Sequence, residues 1–457
     1  MKKNICYILA LLCSLTVYAQ QGTLHDQDAQ SAASGTLPNL IHVGLQNNYG
    51  LQIVKNEERI AQNNATKANA GYLPTVSLTA GYDADLNSGN TTTRSPQTTT
   101  STRNVADLGF NAGISANWTI FDGFKIQTNY KRLKELQRKS EVQTRVAIED
   151  FVAESATAYF NVVRQRLRMK NLRESLELSR ERLRIVSERY KLGSASRLDL
   201  RSAEVDFNAD SAQVLSQHEA LITSYVDLQE LMGAAAQYRD GYGFYIINPT
   251  DTAIKLIKTI SVDTLEQAML RSNARLIAAA SNQRLSDLDY KAVQSRDYPY
   301  VKLAANYGYT YNNQPQTPSM QRHEWGGQLG VTVGMKIFDG QRKRERQNAL
   351  IAIEQARLAT ADLELTLRAQ LERLWKSYIN NYQLLGLAQE NLRAAEEQYE
   401  AAQERFMLGD LSGIEMRQAE QNLLSARERL LDAQYSTKIC EISLLQISGQ
   451  VMKHFLG

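Results

Sequence analysis

Histidine, cysteine and clustered acids are the residue types from which catalytic and metal sites are built, and this chain disperses all of them. His25, His42, His218, His323 and His454 stand far apart, no His-x-x-x-His or Cys pair occurs, and the many Asp and Glu residues sit at exposed helical spacings. No nucleophile, base or metal set converges, and no Met or His cluster would hold a metal. The sequence therefore reads as neither an enzyme nor a cofactor protein. The residues that do recur at fixed spacing have conformational chemistry to offer. Ile120-Phe121-Asp122-Gly123 returns as Ile337-Phe338-Asp339-Gly340, and Arg189-Tyr190-Lys191-Leu192-Gly193 returns as Arg405-Phe406-Met407-Leu408-Gly409. Asp122 and Asp339 are placed to cap a first helical turn, Gly123 and Gly340 to permit a sharp redirection into it, and Gly193 and Gly409 to reverse the chain at the far end. A unit repeated in this way is built to be completed by copies of itself.

The elements that carry these motifs follow from hydrophobic period. From about Leu40 to Tyr72 the pattern is helical until Pro74 stops it; strict alternation then begins at Val76, Leu78, Ala80 and Tyr82, the signature of a strand with one apolar face. A Thr/Ser/Asn-rich stretch, Asn87 to Asn104, reads as a long solvated loop. Alternation resumes from Leu108 to Ile120, and at Asp122-Gly123 the period lengthens to that of a helix running to Lys191 without Pro or Gly, which at 1.5 Å per residue is roughly 100 Å. Its second half carries a narrow seam of Leu176, Ser179, Leu183, Val186 and Tyr190. A shorter helix returns from Gly193-Ser194 to about Met232. The cycle restarts near Asp263, where Asp263 and Glu266 have capping-box spacing. Pro299 answers Pro74, two more alternating runs follow, and the second long helix carries a matching seam of Leu392, Ala395, Tyr399, Ala402 and Phe406. The expected organisation is a signal peptide at 1–19, a flexible leader at 20–36, repeat 1 at 37–232 (strands 75–86 and 107–121, long helix 124–191), an equatorial insertion at 233–260, and repeat 2 at 261–457 (strands 300–311 and 325–338, long helix 341–407).

Bulk properties narrow the setting. Met1-Lys2-Lys3, an apolar run from Ile5 to Val17 and Val17-Tyr18-Ala19 form a secretory signal with a cut after Ala19. Its loss leaves Cys440 as the only thiol, so no intramolecular disulfide is expected. The formal charge of +3 falls to +1 when Lys2 and Lys3 leave, with both signs interspersed, which excludes an electrostatic footprint for nucleic acid. No later run of about 18 apolar residues exists to span a bilayer as a helix. The alternating runs, however, have the length of tilted bilayer-crossing strands, with Tyr72, Tyr82, Trp118, Phe121, Tyr309, Tyr311, Trp325 and Phe338 gathered near their ends. Lipid tolerates no open sheet edge, so four strands require further copies of the chain to close a barrel, and small Gly, Ser, Thr and Asn side chains on the polar face leave its lumen wet. A soluble β-sandwich and a periplasmic coiled-coil scaffold are the rival readings; neither accounts for lipid-length hairpins flanked by helices.

In this order, twice, the motifs resemble the TolC family of outer-membrane efflux factors. The resemblance extends from about Pro38 onward and includes Asn48-Tyr-Gly-Leu51 and Asn273-Ala-Arg-Leu276 in the short helices. It implies a fold that is mainly α with a membrane β-barrel: a homotrimer whose four strands per chain complete a twelve-stranded barrel on a long α-helical tunnel. The implied function is passive conduction of small toxic compounds or drugs delivered by an inner-membrane pump through a periplasmic adaptor, or alternatively of whole proteins in type I secretion. The family's adaptor-docking tips map onto Leu192, Gly193, Ser194 and Leu408, Gly409, Asp410, where the glycines also reverse the chain. Its acidic constriction maps onto Asp199 and Glu415, each six residues past a tip glycine, although both are also ordinary early-helix acids favoured by the helix dipole. The chain departs from the family gate where Ser202 and Gln418 replace a second acid and Ala195 and Leu411 replace a bridging Arg; Arg197 is positioned to substitute in the first copy only.

Overall fold

A computed structural model describes residues 35–94, 97–233, 249–257, 261–313 and 321–456. The expected signal peptide and most of the expected leader lie outside the described residues. Repeat 1 opens with α1 (Leu37–Asn47), α2 (Tyr49–Asn64) and a single turn, α3 (Lys67–Ala70). Strands β1 (Thr75–Arg94) and β2 (Gln97–Asp122) follow, then α4 (Lys125–Lys191) and α5 (Arg197–Leu231). Repeat 2 supplies α6 (Val262–Ser272), α7 (Ala274–Gln294), β3 (Tyr300–Asn313), β4 (Gln321–Gly334), α8 (Gly340–Leu408), α9 (Gly413–Ile447) and a short α10 (Val451–Leu456). The two long helices contain 67 and 69 residues, each about 100 Å of rod.

The helical stretch that opens each repeat is broken at an asparagine. Asn48 and Asn273 sit in extended backbone at these breaks, their side chains accepting from Leu51 N–H at 3.0 Å and from Arg275 and Leu276 N–H at 2.9 and 3.1 Å. The same two side chains donate to the carbonyls of Leu231 and Ile447, both at 2.9 Å, so each break is fastened to the end of α5 or α9. Such a cap ends one helix and starts the next with its backbone groups satisfied. The Asp263–Glu266 capping box does not form: Ser261 precedes α6 without a side-chain cap, and Glu266 instead pairs with Arg368 at 2.9 Å.

The strands form one antiparallel sheet in the order β1-β2-β3-β4. Asn87–Arg94 and Gln97–Asn104, expected as loop, are strand. Beyond a bulge between Asn87 and Gly89 the pairing continues through Thr91 with Thr100 to Arg94 with Gln97, because Thr is strand-prone even where no apolar alternation marks it. The fourth strand lies at Gln321–Gly334 rather than 325–338; Met335 to Phe338 run on outside the sheet. One face carries Val76, Leu78, Leu329, Val331 and Val333, all at least 63% exposed in the single chain. The opposite face bears small polar groups such as Ser77 and Ser115, whose hydroxyls meet at 2.7 Å.

Packing is densest midway along the rods, where α1, α4, α5, α9 and α10 bury Tyr159, Val162, Leu228, Ile442 and Val451. The described part of the insertion, 249–257, ties this region together. Tyr159 Oη donates to Asp251 at 2.9 Å, Ile257 N–H donates to Glu441 at 2.7 Å, and Tyr378 Oη donates to the Ile257 carbonyl at 2.8 Å. The segment therefore bridges α4, α8 and α9. Cys440 is half-buried against the Met269–Tyr378 cluster, its thiol accepting from Asn381 at 3.4 Å.

Candidate gate and docking end of the helical hairpins

The two strand-to-helix junctions share a motif but not a geometry. Asp339 is the N-cap of α8 and accepts from Gln341 N–H at 3.1 Å. Asp122 is not the N-cap of α4. That position falls to Phe124, held at φ 69°, while Asp122 reaches over it to accept from Ile126 N–H at 3.0 Å. Gly123 at φ +69° lies so close to repeat 2 that a Cβ would stand 2.1 Å from the Ser295 carbonyl oxygen, whereas nothing approaches Gly340 within 4 Å. Around the first junction Phe124 stacks edge-on against Phe121 and Tyr298, with ring centroids at 5.2 and 5.8 Å. At the second, Ile337 and Phe338 are 94% and 90% exposed.

At the opposite end the rods reverse through two matching turns. Gly193 and Gly409 adopt φ +76° and +90° with no atom near either would-be Cβ, so the left-handed backbone alone calls for glycine. Ser194 N–H donates to the Arg189 carbonyl at 2.8 Å and Gly193 N–H to Tyr190 at 3.0 Å; Asp410 to Arg405 and Gly409 to Phe406 repeat the pattern at 3.0 and 3.2 Å. This paired closure satisfies the last carbonyls of each long helix. Leu192 and Leu408 stand at the turns 83% and 78% exposed.

Asp199 and Glu415 follow each turn, exposed, at the third position of α5 and α9. Both are halves of capping boxes. Ser196 Oγ accepts from Asp199 N–H at 3.1 Å while Ser196 N–H donates to the carboxylate at 2.9 Å, and Ser412 with Glu415 does the same at 3.2 and 3.0 Å. The Ser196 hydroxyl and backbone bonds hold Asp199 below its usual range; the Ser412 backbone and hydroxyl bonds do so for Glu415. Both acids are thus fixed in orientation and kept ionised. The Ser-x-x-acid spacing that names Ser196 and Ser412 is legible in the sequence. Arg197 opens α5 and is exposed.

Behind the tips lies a group of charges that the sequence does not announce. Arg182 of α4, Asp206 and Asp210 of α5, and Arg417 and Glu420 of α9 meet where the two hairpins pack. Arg417 clasps Asp210 with two bonds of 2.6 and 2.7 Å, and Arg182 contacts Asp206 at 3.0 Å. Glu420 lies 3.6 Å from Arg182 and 3.7 Å from Arg417, too long for direct hydrogen bonds, with a side chain only 2% exposed. Its burial pushes its carboxyl above the usual range despite both guanidiniums. Three carboxylates face two guanidiniums, so the group carries one excess negative charge. The seam continues upward through Arg427–Glu174 at 2.8 Å, Arg168–Glu428 at 3.1 Å and Arg164–Asp432 at 3.8 Å. No group of His, Cys, Asp and Glu among the described residues has the geometry to hold a metal ion.

Known proteins share this plan. The chain is similar to outer membrane protein TolC of Vibrio cholerae, with 21% identity over 447 residues covering 96% of this chain and 95% of that one. It is also similar to the proteases secretion protein PrtF of Dickeya chrysanthemi, 20% identical over 395 residues, 86% and 83% of the two chains. The solved outer-membrane channel OprN superposes with a TM-score of 0.73 over 91% of this chain and 90% of that one, at 18% identity. The family model described as outer membrane efflux protein matches residues 40–234 and 265–450, most of both repeats, and the chain belongs to that family.

Proposed function

We propose that three copies of this chain close their sheets into one barrel in the outer membrane and their helices into a tunnel across the periplasm. The assembly conducts passively what an inner-membrane pump and a periplasmic adaptor deliver to it. One observation carries the reading: a four-stranded sheet with both edges unpaired in the protomer and an exposed apolar face. In hydrocarbon an open edge leaves backbone groups unsatisfied at several kcal/mol each, and edge pairing between copies removes that cost. Light scattering on detergent-extracted protein tests it. A trimer is expected, and a monomer overturns the closed barrel.

The tips at Leu192, Gly193, Ser194 and Leu408, Gly409, Asp410 are the adaptor's docking points in this reading, supported by the two exposed leucines. Asp199 and Glu415 ring the constriction, six carboxylates about one axis, with Arg197 beside them. Such a ring attracts cations. Replacing the pair by Asn and Gln keeps much of the capping geometry while removing the charge. Lower cation conductance and weaker cation block are expected in single-channel recordings, and unchanged values overturn the ring. Small toxic compounds are the cargo of this reading; the similarity to a protease secretion protein favours whole-protein export as the second. Identifying the pump that co-purifies with the chain separates them.

A further inference from the structure

The tip motif begins with an arginine and an aromatic residue in both copies, but the two pairs have different surroundings. Arg189 has its guanidinium carbon 4.8 Å from the centre of the Phe406 ring and donates to the Phe406 and Met407 carbonyls at 2.5 and 3.4 Å. Thus the first copy's arginine covers the second copy's ring, and Phe406 is only 3% exposed. Arg405 is exposed and makes no hydrogen bond, short ion pair or ring contact among the described residues; its charge acts only from a distance, helping to hold the Glu415 carboxyl low. Tyr190, the counterpart of Phe406, is 41% exposed. One ring is covered and its equivalent is partly open to solvent.

The chain's own duplication says what covers the second. In a closed ring whose repeats stand in near-equivalent positions, the step that carries repeat 1 onto repeat 2 also carries repeat 2 onto repeat 1 of the next chain. The offset of 216 residues that takes Gly193 to Gly409 takes Arg189 to Arg405 and Tyr190 to Phe406. The same offset turns the ion pairs of the seam within the chain into uncharged or singly charged pairings. Arg168 with Glu428 becomes Leu384 with Ala212, Arg164 with Asp432 becomes Asn380 with Ser216, and Glu174 with Arg427 becomes Glu390 with Ser211. Leu384 is 47% exposed in the single chain, as a face awaiting a neighbour would be. Of the contacts compared, arginine on ring is the one whose chemistry survives in both copies.

We propose that Arg405 of each protomer lies across the ring of Tyr190 of the partner subunit and donates to the carbonyls ending that subunit's first long helix. Arginine-on-ring bridges then run alternately within and between chains around the tunnel mouth. The contact combines a cation on a ring face with a cation at a helix C-terminus, two favourable placements of the same group. This inference rests on the trimeric reading, and its test separates the two.

The test uses the full-length chain with Cys440→Ser, in detergent, treated with a short bis-maleimide. Arg405→Cys with Tyr190→Cys, both at exposed positions, is expected to give covalent dimers and trimers on a denaturing gel. Arg189→Cys with Phe406→Cys is expected to link within one chain and run as monomer. An intact trimer by light scattering without the 405–190 ladder overturns this contact alone; a monomer by light scattering overturns the trimeric reading and the contact with it. A double-mutant cycle with Arg405→Gln and Tyr190→Leu supplies a second reading. The two changes are expected to be coupled by about 2- to 30-fold in the trimer's dissociation constant, and strictly additive effects overturn the contact.

Discussion

Replacing Arg417 by Met removes a charge from the buried group behind the tips while keeping a side chain of similar length. Asp210 then loses both of its bonds, at 2.6 and 2.7 Å, with its side chain 5% exposed. Stripping one partner from a buried, hydrogen-bonded pair costs about 3–5 kcal/mol because the other charge is left uncompensated. Arg180, which pairs with Glu177 at 56% and 64% exposure and lies 5.8 Å from the centre of the Phe207 ring, sets the scale for comparison: Arg180→Met should cost at most about 1 kcal/mol. Glu420→Gln has the opposite sign, since it removes the excess negative charge and is expected to tighten the packing of α9 on α4 and α5. The pH dependence follows from the same charge. An acid whose folded pKa is raised contributes stability that is present below its unfolded pKa and is lost as pH rises through the folded value, so this contact should tighten on acidification toward the ordinary carboxylate range. Asp199 and Glu415, with lowered pKa values, contribute stability above their unfolded pKa that disappears at lower pH, which distinguishes the two ends of the helices. Amide hydrogen exchange over 200–212 and 413–423, corrected for the intrinsic pH dependence of exchange, reads all three quantities. The reasoning fails if Arg417→Met exchanges no faster than Arg180→Met, if Glu420→Gln loosens these segments, or if protection falls on acidification between neutral pH and the carboxylate range.

Gly409→Ala should cost about 1–2 kcal/mol through its left-handed backbone alone, since nothing crowds the site, and faster exchange in the last turn of α8 would register it. Gly123→Ala adds a collision with the Ser295 carbonyl to the same backbone penalty, so it should lower the thermal midpoint further than Gly409→Ala; equal midpoints would contradict the close approach. Asn273→Ala removes two accepted bonds and one donated bond at a buried helix break and should cost about 1–3 kcal/mol by denaturant unfolding, with the equivalent Asn48→Ala milder because its donated bond is less deeply buried.

Much of the scaffold was legible in the sequence because its signals are local. Alternation at Val76–Tyr82 and Leu108–Ile120, the absence of Pro and Gly along the first long helix, and Gly193 and Gly409 at the turns that end the two long helices each act within a few residues. Asn87–Asn104 escaped that logic, since a ribbon without an apolar face has no alternation to display. The breaks at Asn48 and Asn273 are hidden for a different reason: their caps are local, but the Leu231 and Ile447 carbonyls that fasten them come from distant helices. The charges behind the tips are the extreme case. Arg182, Asp206, Asp210, Arg417 and Glu420 look like ordinary solvated helix positions until three helices bring them together, and nothing in their spacing marks them as buried.

Asn48 and Asn273 also divide each chain mechanically. The helices α4 and α8 are unbroken shafts, able to carry torsion from the tips toward the sheet, while the paths through α5 and α2 and through α9 and α7 each pass a pivot held by an asparagine side chain. Rotation imposed on the tips would therefore load the shafts and bend the pivots. In the proposed trimer the sheets stay fixed in the membrane while the far ends of the helices turn.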